Sequence, residues 1–187
     1  IFSYFILKGK CRKCKNKISP LYPIVEASTA IVLLLFFLNT PQLSYLSTLN
    51  VFILLLLLLI IFLDIRYFTI PDKILISITA ATVWIKSLDH NTNFAGLLIS
   101  ALGLASFFAI LFLVSKGKWL GLGDVKLIFI IGLLLGYPLG YLAVISSIWA
   151  AAIFSILLLA TKKADMKTRI PFGSFLSAAT IIFLIFN

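Results

Sequence analysis

The chain has 187 residues, of which 62% are hydrophobic and 12% charged, and its mean hydropathy is +1.17. A soluble domain is about half apolar and about a quarter charged, so this composition excludes an ordinary soluble fold and places the chain in a bilayer. The formal net charge of +10 raises nucleic-acid binding, but the cations are scattered over several loops and not gathered on one face with aromatics, so no nucleic-acid partner is expected.

Ile1 is not an initiator methionine, and residues 1–7 lack the basic front end and cleavage signature of a secretory signal peptide, so the chain reads as a fragment or a processed form. Residues 8–17 are a short basic loop carrying Cys11-Arg12-Lys13-Cys14, the only two cysteines. They are half of a four-thiolate zinc site, a redox pair, or incidental thiols. A stable disulfide is disfavoured on a reducing cytoplasmic face, and zinc would need two further ligands; the only histidine, His90, falls on the opposite face.

Seven apolar segments follow, at about 22–38, 45–63, 74–88, 96–114, 126–137, 139–161 and 170–186. Each is near or somewhat under the ~20 residues that span hydrocarbon. Lys126 to Lys162 is too long for one helix at ~1.5 Å per residue, so it divides into a hairpin at Pro138. The expected fold is all-α: a polytopic membrane protein of about seven transmembrane helices, with a cytoplasmic cysteine loop over 1–21 and a membrane domain over 22–187. Placing 8–17 in the cytoplasm puts 15 of the 16 Lys and Arg residues on that side and leaves only Lys86 outside. That is the positive-inside pattern.

The same topology brings Asp64, in Phe62-Leu63-Asp64-Ile65-Arg66, and Asp124, in Gly121-Leu122-Gly123-Asp124-Val125-Lys126, to the cytoplasmic ends of the second and fifth segments. Ionisable groups at membrane depth are costly and mark functional sites. Peptide hydrolysis needs an activated water and a polarised carbonyl, and two close carboxyls sharing one proton supply both. No His-partnered serine, metal-binding His pair or Walker-type loop competes. Gly121 and Gly123 would let backbone approach the partner acid or an extended substrate. The plainer readings are a flexible loop with a dipole-favoured Asp124 at a helix start, and a helix-end ion pair between Asp64 and Arg66. Glu26, after Pro23, reads as a first-turn carboxylate, Asp72, after Pro71, as a cap, and Asp89 and Asp165 as solvated loop residues.

Gly9-Lys10-Cys11-Arg12-Lys13-Cys14, Ile18-Ser19-Pro20-Leu21-Tyr22-Pro23-Ile24-Val25-Glu26, Asp64-Ile65-Arg66 through Ile70-Pro71-Asp72, Gly121-Leu122-Gly123-Asp124-Val125-Lys126-Leu127 and Ile170-Pro171-Phe172-Gly173 occur in the order seen in type IV prepilin peptidases. The chain resembles that family over nearly its whole length. The resemblance implies an aspartic endopeptidase in the bacterial cytoplasmic membrane, with Asp64 and Asp124 as its catalytic pair and Gly121, Gly123, Lys126, Pro71 and Asp72 as motif residues near substrate. It implies a prepilin or pseudopilin substrate, with a short basic leader cut after glycine on the cytoplasmic side and an apolar helix lying among the membrane lipids. Family members also N-methylate the new terminus with S-adenosylmethionine. A further helix and a second Cys-x-x-Cys usually precede the region matched here, so an N-terminal truncation is expected, with Cys11 and Cys14 as half of a zinc site. The peptidase step itself needs no cofactor. The alternatives are a presenilin-like or preflagellin-like intramembrane protease and a non-enzymatic scaffold or transporter; a transporter predicts a midplane site, whereas these acids lie near one face.

Overall fold

A computed structural model of the chain describes residues 4, 7, 9–10, 12, 14–40, 44–88, 92–162 and 168–186. Cys11, Lys13, Asp89, His90, Lys163 and Asp165 lie outside the described residues. The described residues contain seven named helices in two compact units, residues 1–43 and 44–187.

In the first unit an antiparallel bridge joins Lys10 to Lys17, and the Ile18 N–H donates to the Gly9 carbonyl at 2.8 Å, closing the turn that carries exposed Cys14. Helix α1 is Leu21–Asn39, and its first turn holds no acidic residue. Because the helix starts before Pro23, Glu26 falls in its second turn, farther from the terminal dipole than the sequence suggested.

The second unit contains α2 (Tyr45–Tyr67), α3 (Asp72–Leu88), α4 (Phe94–Ser115), α5 (Leu122–Leu135), α6 (Leu139–Ala160) and α7 (Phe172–Phe186). Two of its helix starts carry side-chain caps from the residue just before the helix. Ser44 Oγ accepts from the Ser47 N–H at 3.2 Å while the Ser44 N–H donates to Ser47 Oγ at 2.8 Å, and Asn93 Oδ1 accepts from the Gly96 N–H at 3.0 Å. The expected break near Pro138 is present: α5 ends before Gly136, at φ +68°, and α6 begins just after Pro138.

α1, α2, α4 and α6 are long and apolar enough to cross a membrane. Ile99, Leu113, Trp149 and Ile156 are exposed on these helices, a surface suited to lipid and not to water. Helical hydroxyls turn inward on their own backbone, as where Thr79 Oγ1 donates to the Leu75 carbonyl at 2.8 Å. With 14 residues, α5 is only about 21 Å long, against a hydrocarbon core of about 30 Å. Its surroundings explain this: it packs against α3, α4, α6 and α7, and Leu127, Ile128, Ile130, Ile131, Leu133 and Leu134 are all buried. A helix sheathed in protein need not match the lipid thickness. The protein is an all-α polytopic membrane protein.

The turns before α3, α5 and α7 meet at one end of this unit, where Ile70 lies against Gly123 and Gly173; Gly136 and Leu97 meet elsewhere, where α5 ends and α4 begins. Arg66, Lys73 and Lys126 therefore belong to the end that carries Asp64 and Asp124, while Lys86 lies in the last turn of α3.

Candidate active site

Asp64 is one turn inside α2, not at a helix terminus, because α2 runs on to Tyr67 and stops at Phe68 in the left-handed conformation, φ +53°. The side chain is buried, at 5% exposure. The plainer reading, an ion pair with Arg66, is not what the structure shows: the Arg66 guanidinium sits 5.7 Å over the Tyr67 ring. Asp64 turns instead to the start of α7, where the Ser174 N–H donates to Oδ2 at 2.7 Å. That amide is one of the donors a helix start leaves without an intrahelical partner, and the positive end of the dipole favours the anion it holds.

Asp124 stands in the first turn of α5, which begins at Leu122, four residues earlier than the apolar run suggested. Its Oδ2 accepts from the Gly121 N–H at 3.2 Å, so the plain helix-start reading is correct for one oxygen. The other oxygen points elsewhere. A Cβ built on Gly173 would lie 3.1 Å from Asp124 Oδ1 and 3.1 Å from Asp64 Oδ2. The two carboxyl oxygens are therefore separated by no more than two such lengths. A single water bridging two oxygens spans about twice 2.8 Å, close to this upper bound, so the two acids converge on one small volume.

Around the pair, the other motif residues divide. Gly121 and Gly123 adjoin it: a Cβ on Gly121 would lie 3.2 Å from Asp124 Oδ2, and one on Gly123 would lie 3.2 Å from Ile70 Cβ. Pro71 directly precedes α3. Asp72 is the first residue of α3, and its Oδ1 accepts from Lys126 Nζ at 2.6 Å, an exposed ion pair tying α3 to α5 where the sequence suggested a cap. At about 100° per residue, Lys126 and Ile130 point away from Asp124. The cavity of about 430 Å³ that they line with Asp72, Leu75, Thr79 and Phe129 is thus on the far side of α5 from the carboxyl pair. Cys14 is exposed in the other unit, and among the described residues no cluster of three or more His, Cys, Asp or Glu could hold a metal.

Sequence reasoning missed Gly173, Ser174 and Ile70 as parts of this centre. None has a titratable side chain; the signals were the motifs Ile70-Pro71-Asp72 and Ile170-Pro171-Phe172-Gly173, in which Ile70 and Gly173 offer no reactive atom of their own.

The fold and this centre define a class: a polytopic helical membrane protein with two carboxyls paired at the packed ends of its helices. The model of the type IV leader peptidase family matches residues 51–156, and that of the bacterial peptidase A24 N-terminal domain matches residues 1–40. The chain belongs to the type IV leader peptidase family and is a peptidase. It is 31% identical over 185 residues to the prepilin leader peptidase/N-methyltransferase of Bacillus subtilis, covering 97% of this chain and 73% of that protein. The Pseudomonas aeruginosa protein of the same name is 29% identical over 198 residues, covering 100% of this chain and 66% of the relative. The type 4 prepilin-like proteins leader peptide-processing enzyme of Escherichia coli O78:H11 is 32% identical over 190 residues, covering 97% and 67%. The chain thus spans about two thirds to three quarters of the length of these relatives. No solved structure matches it.

Proposed function

We propose that this peptidase removes the leader of prepilin-like proteins at the cytoplasmic face of a bacterial inner membrane, with Asp64 and Asp124 as its catalytic pair. The observation that carries the reading is the convergence of one oxygen from each carboxyl on the same point beside Gly173. One carboxylate takes a proton from a water held between them, and the water oxygen attacks the scissile carbonyl. The other carboxyl, protonated, supports the developing oxyanion and delivers a proton to the leaving amine. The sum is one water consumed, one carboxylate end and one amine end formed.

The substrate's apolar helix would stay in the bilayer while its basic leader remains at the surface, level with the pair. A scissile glycine adds a flexible, uncrowded backbone. Membranes carrying the protein are expected to cut a prepilin at the bond after its leader glycine, at an unchanged rate in EDTA. Loss of cleavage on chelation would replace this mechanism with metal-assisted hydrolysis.

Orientation has its own test. In a background without Cys11 and Cys14, cysteines at Lys13, Arg66, Lys118 and Lys163 are expected to react with an impermeant thiol reagent from the cytoplasmic side, and one at Asp89 from the other. Labelling of Arg66 and Lys118 from opposite sides would separate the helix ends that the reading joins.

A second reading, N-methylation of the new terminus with S-adenosylmethionine, is favoured by the match of residues 1–40 to the family's N-terminal domain. Under it, Cys11 and Cys14 would supply two thiolates of a tetrahedral zinc site, stiffening the loop. Two ligands leave that site half filled, so this chain alone is expected to hold zinc weakly, and a chain extended upstream by a second cysteine pair tightly. Equal, tight binding by both would show the further ligands to be unnecessary. Replacing both cysteines by serine is expected to spare cleavage and lower methyl transfer.

A further inference from the structure

We infer that Gly173 is a positioning residue of the peptidase: its missing side chain is what lets the two carboxyls come within reach of one water. The inference rests on the assignment of Asp64 and Asp124 as the catalytic pair.

Three groups crowd the place where a Cβ would stand. Ile70 Cδ1 is 2.7 Å away, and Asp64 Oδ2 and Asp124 Oδ1 are each 3.1 Å away. These obstacles are not equivalent. The Ile70 methyl is the free end of a flexible chain and can turn aside at a modest rotamer cost. The carboxylates cannot swing away so easily, because the other contact of each is fixed: Asp124 Oδ2 takes the Gly121 N–H at 3.2 Å, and Asp64 Oδ2 takes the Ser174 N–H at 2.7 Å. Ser174 follows Gly173, so the residue that must stay small and an amide that anchors Asp64 sit on the same turn of α7. Nor can α7 retreat freely, since it packs against α2, α5 and α6. A methyl at 173 therefore presses on both acids at once and displaces them by a few tenths of an ångström or more.

Misplacing reacting groups by about 1 Å costs on the order of 100-fold in rate, while contacts remote from the reacting bond are untouched. The experiment compares Gly173→Ala, Ile70→Ala, the double variant and wild type in detergent-solubilised full chain, with Asp64→Asn and Asp124→Asn alongside. Gly173→Ala is expected to fold, to lower kcat at least about tenfold with KM within about threefold, and to weaken an aspartyl-protease transition-state mimic by a similar factor. Ile70→Ala is expected not to rescue it, because the obstacle that matters is the acid pair.

Wild-type-like kcat in Gly173→Ala would overturn the inference, as would rescue by Ile70→Ala, which would reduce the glycine to a packing requirement. Failure to fold in both Gly173→Ala and the double variant would overturn it in the same way. Full activity in Asp64→Asn or Asp124→Asn would instead remove the catalytic assignment itself, an outcome distinct from an active Gly173→Ala beside inactive aspartate variants.

Discussion

Asp64→Asn and Asp124→Asn are each expected to lower prepilin cleavage by about 10²–10⁴-fold, the scale of losing a positioned general acid or base, while the protein remains folded and inserted. Folding is expected to survive because the hydrogen bonds at both positions can be kept. An asparagine at 124 still offers an oxygen to the Gly121 N–H, and one at 64 still offers an oxygen to the Ser174 N–H. What disappears is the ability to take a proton from water and to share one across the pair. Removing both should cost little more than removing either, since the two act as a unit. Asp165→Asn is the control. Asp72→Asn should lose no more than a few-fold, because its ion pair with Lys126 is exposed and such pairs contribute at most about 1 kcal/mol. Substantial turnover in either dyad variant, or an Asp72→Asn loss as deep as theirs, would reject the assignment. Cleavage is measured as released leader by mass spectrometry, with insertion checked on the same membranes.

Gly132→Val is expected to destabilise the membrane unit by about 3 kcal/mol, at the upper end of ordinary overpacking. A Cβ on Gly132 would lie 2.6 Å from Ala101 Cα and 3.0 Å from Ala101 N, atoms of the α4 backbone that no rotamer change can move. Ala101 is fully buried, and a Cβ on Gly140 of α6 would come 3.4 Å from Gly132 Cα. Three helices thus approach at this glycine, the small-residue contact by which membrane helices pack closely. Spreading α4 from α5 also displaces the helix that carries Asp124, so activity should fall with stability. Leu102→Ala, on the exposed face of α4, is the comparison and should shift stability little. Reversible unfolding in mixed micelles measures both; a Gly132→Val change under about 0.5 kcal/mol would show that α4 can yield.

Much of this was legible without coordinates. Composition alone required a bilayer, because 62% hydrophobic residues have no other place to go, and the spacing of apolar runs against punctuation such as Pro71, Gly136 and Pro171 located all seven helices. Charge asymmetry grouped the helix ends, and the cost of burying carboxyls at such ends singled out Asp64 and Asp124. These inferences depend on one-dimensional quantities: hydropathy, length and charge along the chain.

Contacts between distant segments left no such trace. Asp64 bonds Ser174 and not nearby Arg66 because α7 docks against α2, bringing its free amides to the carboxylate. Asp72 meets Lys126 because α3 packs on α5. Gly173 carries no charge and no reactive atom, so its importance exists only as the space it leaves between two acids that the sequence places 60 positions apart. The chain by itself singled out the two carboxyls and the face on which they are expected to lie. The tertiary structure decided how near they stand, since a distance of a few ångströms is set by the packing of α2, α5 and α7 together and belongs to none of them alone.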